Sequence, residues 1–402
     1  MRPIVFGLWC AFLWARPFVS GELNPRFSEF IQWALLGTGL LLCWRRLPRS
    51  TPHSSALPWA LAAWLGAGLL AIFITPQLAG ARATWLALMA GAIVIPVVWC
   101  ADAAERRGLL VGLACGGLLI STFAFLQFFA IFPSLAGMPR DTLIDRAIQD
   151  VATRRRVLGA FALPNFLAGY SIMLAPLTAS ALTEASGTRW RQTFLAVSLL
   201  AIGLATVLTQ SLGALLAFFV ACGVVMAQWR AQRRSLWVTW LFVGLALMVG
   251  LLITRPMLRQ FGHLDNPMRN RLTYWQVTAT IIREHPIRGV GLGQFRDWYD
   301  ARHPPGSPRV VHAHNSYLEV WAELGLFGLL AWLWVVWEVL RMAARGAPWL
   351  AVAAWAFVLH NLVEAPLYIA QVNVLWWVLV GLIAANAPET AERGESRGSR
   401  RC

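Results

Sequence analysis

The sequence has 402 residues, 58% of them hydrophobic and only 13% charged, with 22 Trp, 21 Phe and a formal charge of +15. That balance excludes a soluble globular domain and marks an integral membrane protein. The positive charge is no sign of a nucleic-acid surface, because it falls in short loops between apolar segments and in external loops whose arginines want an anionic partner.

A spanning helix needs about 20 mostly apolar residues. About twelve such segments succeed one another, near 4–20, 27–44, 57–75, 83–101, 108–133, 158–184, 193–208, 212–228, 236–253, 317–340, 348–364 and 368–386. The first resembles the apolar region of a signal peptide, yet it holds Arg16 and lacks a small-residue cleavage site, so it reads as retained. The expected fold is all-α: a polytopic bundle with a long external loop containing interfacial helices. Its parts are the N-terminal bundle 1–253, the loop 254–316, the C-terminal helices 317–386 and a tail 387–402.

Arginine sets the orientation, since short cytoplasmic loops accumulate it. Arg45, Arg46 and Arg49 follow the second segment, Arg106 and Arg107 the fourth, and every second loop continues the pattern to Arg400 and Arg401. Both termini are then cytoplasmic, and the stretches 134–157 and 254–316 lie together on the other side. Five of the six cysteines sit inside apolar segments, which gives neither a disulfide framework nor a cysteine metal site.

The first external stretch carries Arg154, Arg155 and Arg156 before an interrupted helix start at Gly159, Pro164 and Asn165. Irregular backbone at membrane depth survives only where it lines a cavity or is covered by protein. The second stretch holds five of the seven histidines and nine arginines against four acids. So basic an external surface suits phosphate, which guanidinium groups hold through paired hydrogen bonds. Within it, "NPMRNRLTYWQVTATIIREHPIRG" predicts a surface helix with Leu272, Trp275, Ala279 and Ile282 toward lipid, closed by Pro286, with Arg269 and Arg271 at headgroup phosphate. The alternative is a helix packed on the bundle. "GVGLGQF" (289–295) lacks the strand and helix of a nucleotide loop.

In "HAHNSYLEVW", Ser316 and Glu319 have the spacing of a capping box, so a helix is expected to begin there with His314 just outside its N-terminus. The helix dipole disfavours an imidazolium at that place, which leaves His314 able to accept a proton. His312 is the weaker of the two. A metal site built from His303, His312 and His314 with Asp297 or Asp300 lacks a recognised ligand spacing. Glu323, deeper in the same helix, wants a partner, and an arginine of the loop is expected to provide it.

Four ordered stretches between about 150 and 385 resemble the O-antigen ligase and polymerase superfamily of envelope glycosyltransferases: "RRRVLGAFALPNFLAGY" (154–170), "TQSLGALLAF" (209–218), "RLTYWQ…HPIRGVGLGQF" and "HNSYLEVWAELGLFG". "HNLVEAPLY" (360–368) resembles an element found in ligases and in protein O-oligosaccharyltransferases. The resemblance implies a GT-C-like enzyme of the bacterial inner membrane with a periplasmic active site. Such an enzyme carries out a metal-independent, inverting transfer, without a cofactor, from an undecaprenyl-diphosphate-linked glycan to a hydroxyl. In ligases the acceptor is lipid A-core, in polymerases another repeat unit, in oligosaccharyltransferases a protein serine. By position, His314 matches the family's essential histidine and Arg271 its diphosphate-binding arginine. Where the family has arginine after Thr-x-Ser, this chain has Leu212. Arg156 or Arg82 is the expected substitute, with Arg269 and His312 as further substrate contacts. A transporter, which the span count alone allows, would place its ionisable groups near the bilayer midplane on broken helices; here the few charges near or within spans are Arg16, Glu323 and Glu364.

Overall fold

A computed structural model of the protein describes residues 2–21, 23–44, 56–76, 78–135, 151–185, 188–230 and 267–386. The expected span 236–253, the loop residues 254–266 and the tail 387–402 lie outside them. The described residues are helical throughout, with no strand: α1 (Arg2–Ala15), α2 (Pro25–Trp44), α3 (Leu57–Phe73), α4 (Leu78–Met89), α5 (Gly91–Trp99), α6 (Ala103–Leu126), α7 (Phe132–Leu135), α8 (Pro164–Glu184), α9 (Arg189–Leu208), α10 (Leu212–Arg230), α11 (Pro267–Glu284), α12 (Phe295–Asp300), α13 (Ser316–Ala343), α14 (Pro348–His360) and α15 (Ala370–Asn386).

Six of these are long and apolar enough to cross a membrane: α2, the continuous stretch Ala103–Leu135 through α6 and α7, α8, α9, α10 and α13. Several shorter apolar helices accompany them, among them α3, α14 and α15. The protein is therefore a membrane protein, and its helices sort into two kinds. The outer ones leave Trp44, Phe73, Phe129 and Trp337 exposed, which in lipid costs nothing. The inner ones, α8 and α15, are buried along nearly their whole length.

Small residues let these inner helices approach. A Cβ on Gly91 would lie 2.6 Å from the Trp377 ring, and one on Gly381 3.1 Å from the Ile95 carbonyl oxygen. Close backbone approach of this kind is how helices pack where lipid leaves no hydrophobic driving force. The Trp332, Trp376, Trp64 and Phe357 rings fill the centre, Phe357 stacking on Trp376 at 4.3 Å.

Helical regularity breaks at two places, and both lie close to the polar groups of the molecule. After α6 the chain passes through a π-helical turn, Gln127–Ile131, which leaves Gln127 buried against the irregular segment before α8. Its side chain accepts from the Leu158 and Gly159 amides and donates to the Gly159 carbonyl at 3.0 Å, so the exposed backbone expected there is covered by protein. The second break is at Gly325, where φ is +70° and α13 kinks.

The Gly-rich stretch 289–293 docks into that kink. Val290 donates to the Ala322 carbonyl at 2.9 Å, Gly291 to the Glu323 carbonyl at 3.1 Å, and Leu326 to the Pro286 carbonyl at 3.0 Å. A Cβ at Gly325 would lie 2.0 Å from the Ile287 oxygen, and one at Gly289 2.4 Å from the Glu323 oxygen. Both glycines are thus required by contact as well as by positive φ. The stretch serves to take up the carbonyls and amides that the broken helix frees.

Helix α11 corrects the sequence reading of its faces. The buried stripe is Tyr274, Val277, Ile281 and Ile282, packed with Phe295, Tyr299, Ala313 and Ala322 into a small core of its own, while Leu272 is exposed. The helix packs on the loop and on α13 along this stripe, with Arg271 turned to Glu364 and Leu272 left exposed. Loop residues far apart in sequence supply the apolar partner that the periodicity had assigned to lipid.

Candidate active site

The N-terminus of α13 is capped by Asn315, whose side-chain oxygen accepts from the Tyr317 and Leu318 amides, not by the capping box expected from Ser316 and Glu319. Its amide donates to the Leu362 carbonyl at 2.9 Å, and the Ser316 amide donates to the Asn361 carbonyl at 2.9 Å. The start of α13 is thereby tied to residues 361–364, the turn after α14.

Glu319 reaches back along its own chain instead, accepting from the Ala313 amide at 2.8 Å and meeting His312 Nδ1 at 2.7 Å. Among the described residues Glu323 has no arginine partner either: its Oε1 accepts from the Phe295 amide at 3.0 Å. Backbone amides at the break in α13 do what a guanidinium was expected to do.

The arginine goes elsewhere. Arg271 approaches Glu364, NH2 to Oε2 at 3.3 Å. The other oxygen of Glu364 makes a short hydrogen bond with His314 Nδ1, and Asn165 donates to Oε2 at 2.7 Å. Asn165 in turn accepts from Arg156 at 2.9 Å, and Arg156 Nε donates to the Thr209 carbonyl at 3.0 Å. One buried carboxylate thus gathers His314, Arg271 and, through Asn165, Arg156, from four separate parts of the chain.

Burial alone would raise the Glu364 carboxyl, but the His314 hydrogen bond and the Arg271 charge hold it below the usual carboxylate range. Because an ionised carboxylate only accepts, Nδ1 of His314 carries a proton and donates, which leaves Nε2 as the nitrogen for other chemistry. The Tyr274 ring stacks on the imidazole at 5.5 Å and fixes its plane.

His314 adopts φ +51°, and among the described residues the two other non-glycine residues with positive φ are Arg155, beside Arg156, and Gln210, beside Thr209. Backbone strain of this sort persists only where surroundings impose it. Here all three lie next to residues of the network around Glu364.

Leu212 opens α10, and a Cβ on the adjacent Gly213 would lie 2.8 Å from Val363. The turn 209–211 is thus packed beside Glu364, with the Arg156 guanidinium on its Thr209 carbonyl. Arg82 is not part of this network, forming a 2.7 Å ion pair with Glu29. Arg269 is exposed on α11, one turn before Thr273. His303 turns to Ser307 Oγ at 3.0 Å and stacks on Tyr299.

Glu364 and Asn165 are the residues that the sequence reading passed over as functional. A carboxylate at the end of an apolar segment is costly without a partner, and that cost was the available signal for Glu364.

Residues 196–333 match the O-antigen ligase family. The matched segment runs from α9 to the lower part of α13 and contains Arg271, His312 and His314; Arg156, Asn165 and Glu364 lie outside it. A Rickettsia conorii protein named as a polysaccharide ligase is 25% identical over 122 residues, which cover 28% of this chain and 29% of that protein.

Proposed function

We propose that the protein is an O-antigen ligase, transferring a glycan from undecaprenyl diphosphate to lipid A-core at the periplasmic face of the bacterial inner membrane. About twelve spans with both termini cytoplasmic would put the external stretches at that face. The observation that carries the reading is the His314–Glu364–Arg271 cluster, a base and a cation held by one buried carboxylate.

The acceptor hydroxyl attacks the anomeric carbon from the side opposite the diphosphate, with inversion and with no step through a metal. His314 Nε2 takes the hydroxyl proton as the new C–O bond forms, and Glu364, accepting from Nδ1, stabilises the resulting imidazolium. The anomeric bond to the diphosphate breaks, and the departing charge falls to Arg271 and Arg156.

Arg271 supports this role in one further respect: its Nε is buried and has no hydrogen-bond partner among the described residues. Arg156 serves where the family has arginine and this chain has Leu212, since its guanidinium sits on the Thr209 carbonyl of that same element. Arg269, exposed on the same helix as Arg271, and His312 are peripheral contacts. Arg82, occupied by Glu29, no longer fits as the substitute cation.

The test is a deletion strain complemented with His314→Ala, its lipopolysaccharide examined on gels at matched protein level. Loss of polymer from lipid A-core with carrier-linked polymer intact is expected. Unchanged attachment would end the catalytic assignment. Accumulation of single-repeat glycans on deletion would instead make the protein a repeat-unit polymerase, and loss of protein glycosylation an oligosaccharyltransferase.

A further inference from the structure

A second polar cavity, of about 190 Å³, lies between the turn after α1, helix α2, helix α4 and residues 368–371. Its lining includes Arg16, Glu29, Gln32, Tyr368 and Gln371. Among apolar helices, a hollow with these polar side chains on its lining needs an explanation.

The cations there are engaged. Arg16, fully buried, donates to the Val19 carbonyl at 2.6 Å and to Ser28 Oγ at 2.9 Å, and Arg82 at the rim holds Glu29. Amide atoms are among those that remain over, beside the Tyr368 hydroxyl. Gln32 donates its Nε2 to the Leu86 carbonyl, but among the described residues its Oε1 has no partner and Gln371 Nε2 has none either. Both residues are more than nine-tenths buried.

A buried amide left unpaired is costly, so two on one cavity mark a place where something else supplies the bonds. One open acceptor and one open donor complement a hydroxyl, which gives one hydrogen bond and takes one. The volume exceeds the roughly 150 Å³ of an engineered cavity that holds one six-membered ring.

The cavity is also next to the candidate active site. Tyr368, on its wall, lies 5.7 Å from the ring of His312, two residues from His314. A ring seated there is separated from the histidine pair by one tyrosine.

We infer that this cavity is a sugar-ring subsite, holding one hydroxyl-bearing ring of a glycolipid through Gln32 and Gln371. The choice of glycolipid rests on the proposed transfer, and the ring is then one from the acceptor.

The experiment uses the full-length protein in phosphatidylcholine nanodiscs, titrated by thermophoresis with lipid A-core and, separately, with phosphatidylglycerol, whose headgroup also bears hydroxyls. The variants are Gln32→Leu/Gln371→Leu, which removes both amides, and Ala87→Leu, which fills the cavity from α4. Each is expected to weaken lipid A-core binding about tenfold or more, the loss of two hydrogen bonds, with phosphatidylglycerol binding unchanged. Gln32→Leu also leaves the Leu86 carbonyl without its donor, so a lower melting temperature is expected of that variant and affinities are compared at a temperature where each protein is folded.

Lipid A-core affinity unaffected by both variants would overturn the inference and leave water as the occupant. No lipid A-core binding by the wild type, or an equal loss of phosphatidylglycerol binding, would overturn it as well. Wild-type protein that binds lipid A-core through these residues but never transfers glycan would sink the proposed function and leave the subsite standing.

Discussion

Two histidine–glutamate pairs stand two residues apart on the same strand of loop, and they are built in opposite ways. His312 pairs with Glu319, seven residues on, and the same carboxylate takes the Ala313 amide. This pair closes a local ring and fixes the loop to the first turns of α13. His314 pairs with Glu364, fifty residues on, across a turn between two other helices, and that carboxylate is shared with Arg271 and Asn165. The local pair contributes anchorage, the distant pair assembles charges that no single segment could bring together.

Breaking the distant pair is expected to have the largest effect. His314→Ala lowers transfer by roughly 10³-fold, within the usual range for losing a general base, measured as glycan transferred in vitro at normal protein level. Glu364→Gln, which keeps shape but removes the charge that holds the Nδ1 proton, lowers the rate by about 10²-fold or more with little change in acceptor KM. Arg271→Ala raises the KM for the carrier-linked donor by about tenfold or more.

Breaking the local pair is expected to act on stability. Glu319→Gln leaves the Ala313 amide and His312 with a weaker acceptor and costs about 1–3 kcal/mol, visible as a lower melting temperature in detergent, while transfer falls by less than about tenfold. An activity loss as large as that of His314→Ala would abolish the distinction between the pairs.

The smallest effect concerns acid. Since Glu364 is held below its ordinary range in the folded protein, the stability it contributes is present above the unfolded value of about 4.3 and is lost as pH falls toward the folded one. The melting-temperature gap between wild type and Glu364→Gln therefore narrows from about pH 5 downward. A gap that widens instead would mean that Glu364 is protonated in the folded state.

What could be read from the sequence follows the same division between local and distant. Apolar length and the gathering of histidine and arginine in one stretch are local properties, and they led to the bundle, to His314 and to Arg271. Glu319 was correctly placed in the first turn of a helix yet wrongly made its cap, because Asn315, one residue before Ser316, already satisfies those amides. Glu364 lay in view in "HNLVEAPLY", but its worth comes from three partners that only folding brings near. Leu272 was grouped with Ile282 on one apolar stripe, because periodicity gives the existence of a stripe and not which neighbour covers it.

The break at Gly325 bears on how α13 can change over time. In an unbroken α-helix, one inserted residue turns everything beyond it by about 100°. Below the kink, α13 could gain or lose a residue to suit a bilayer of different thickness without rotating Asn315, His314 or Glu319. The register of the residues before the kink is set by the loop docked at Ala322 and Glu323, while the phase of the half beyond it is set separately, by Trp332 and its packing against Trp64 and Trp376.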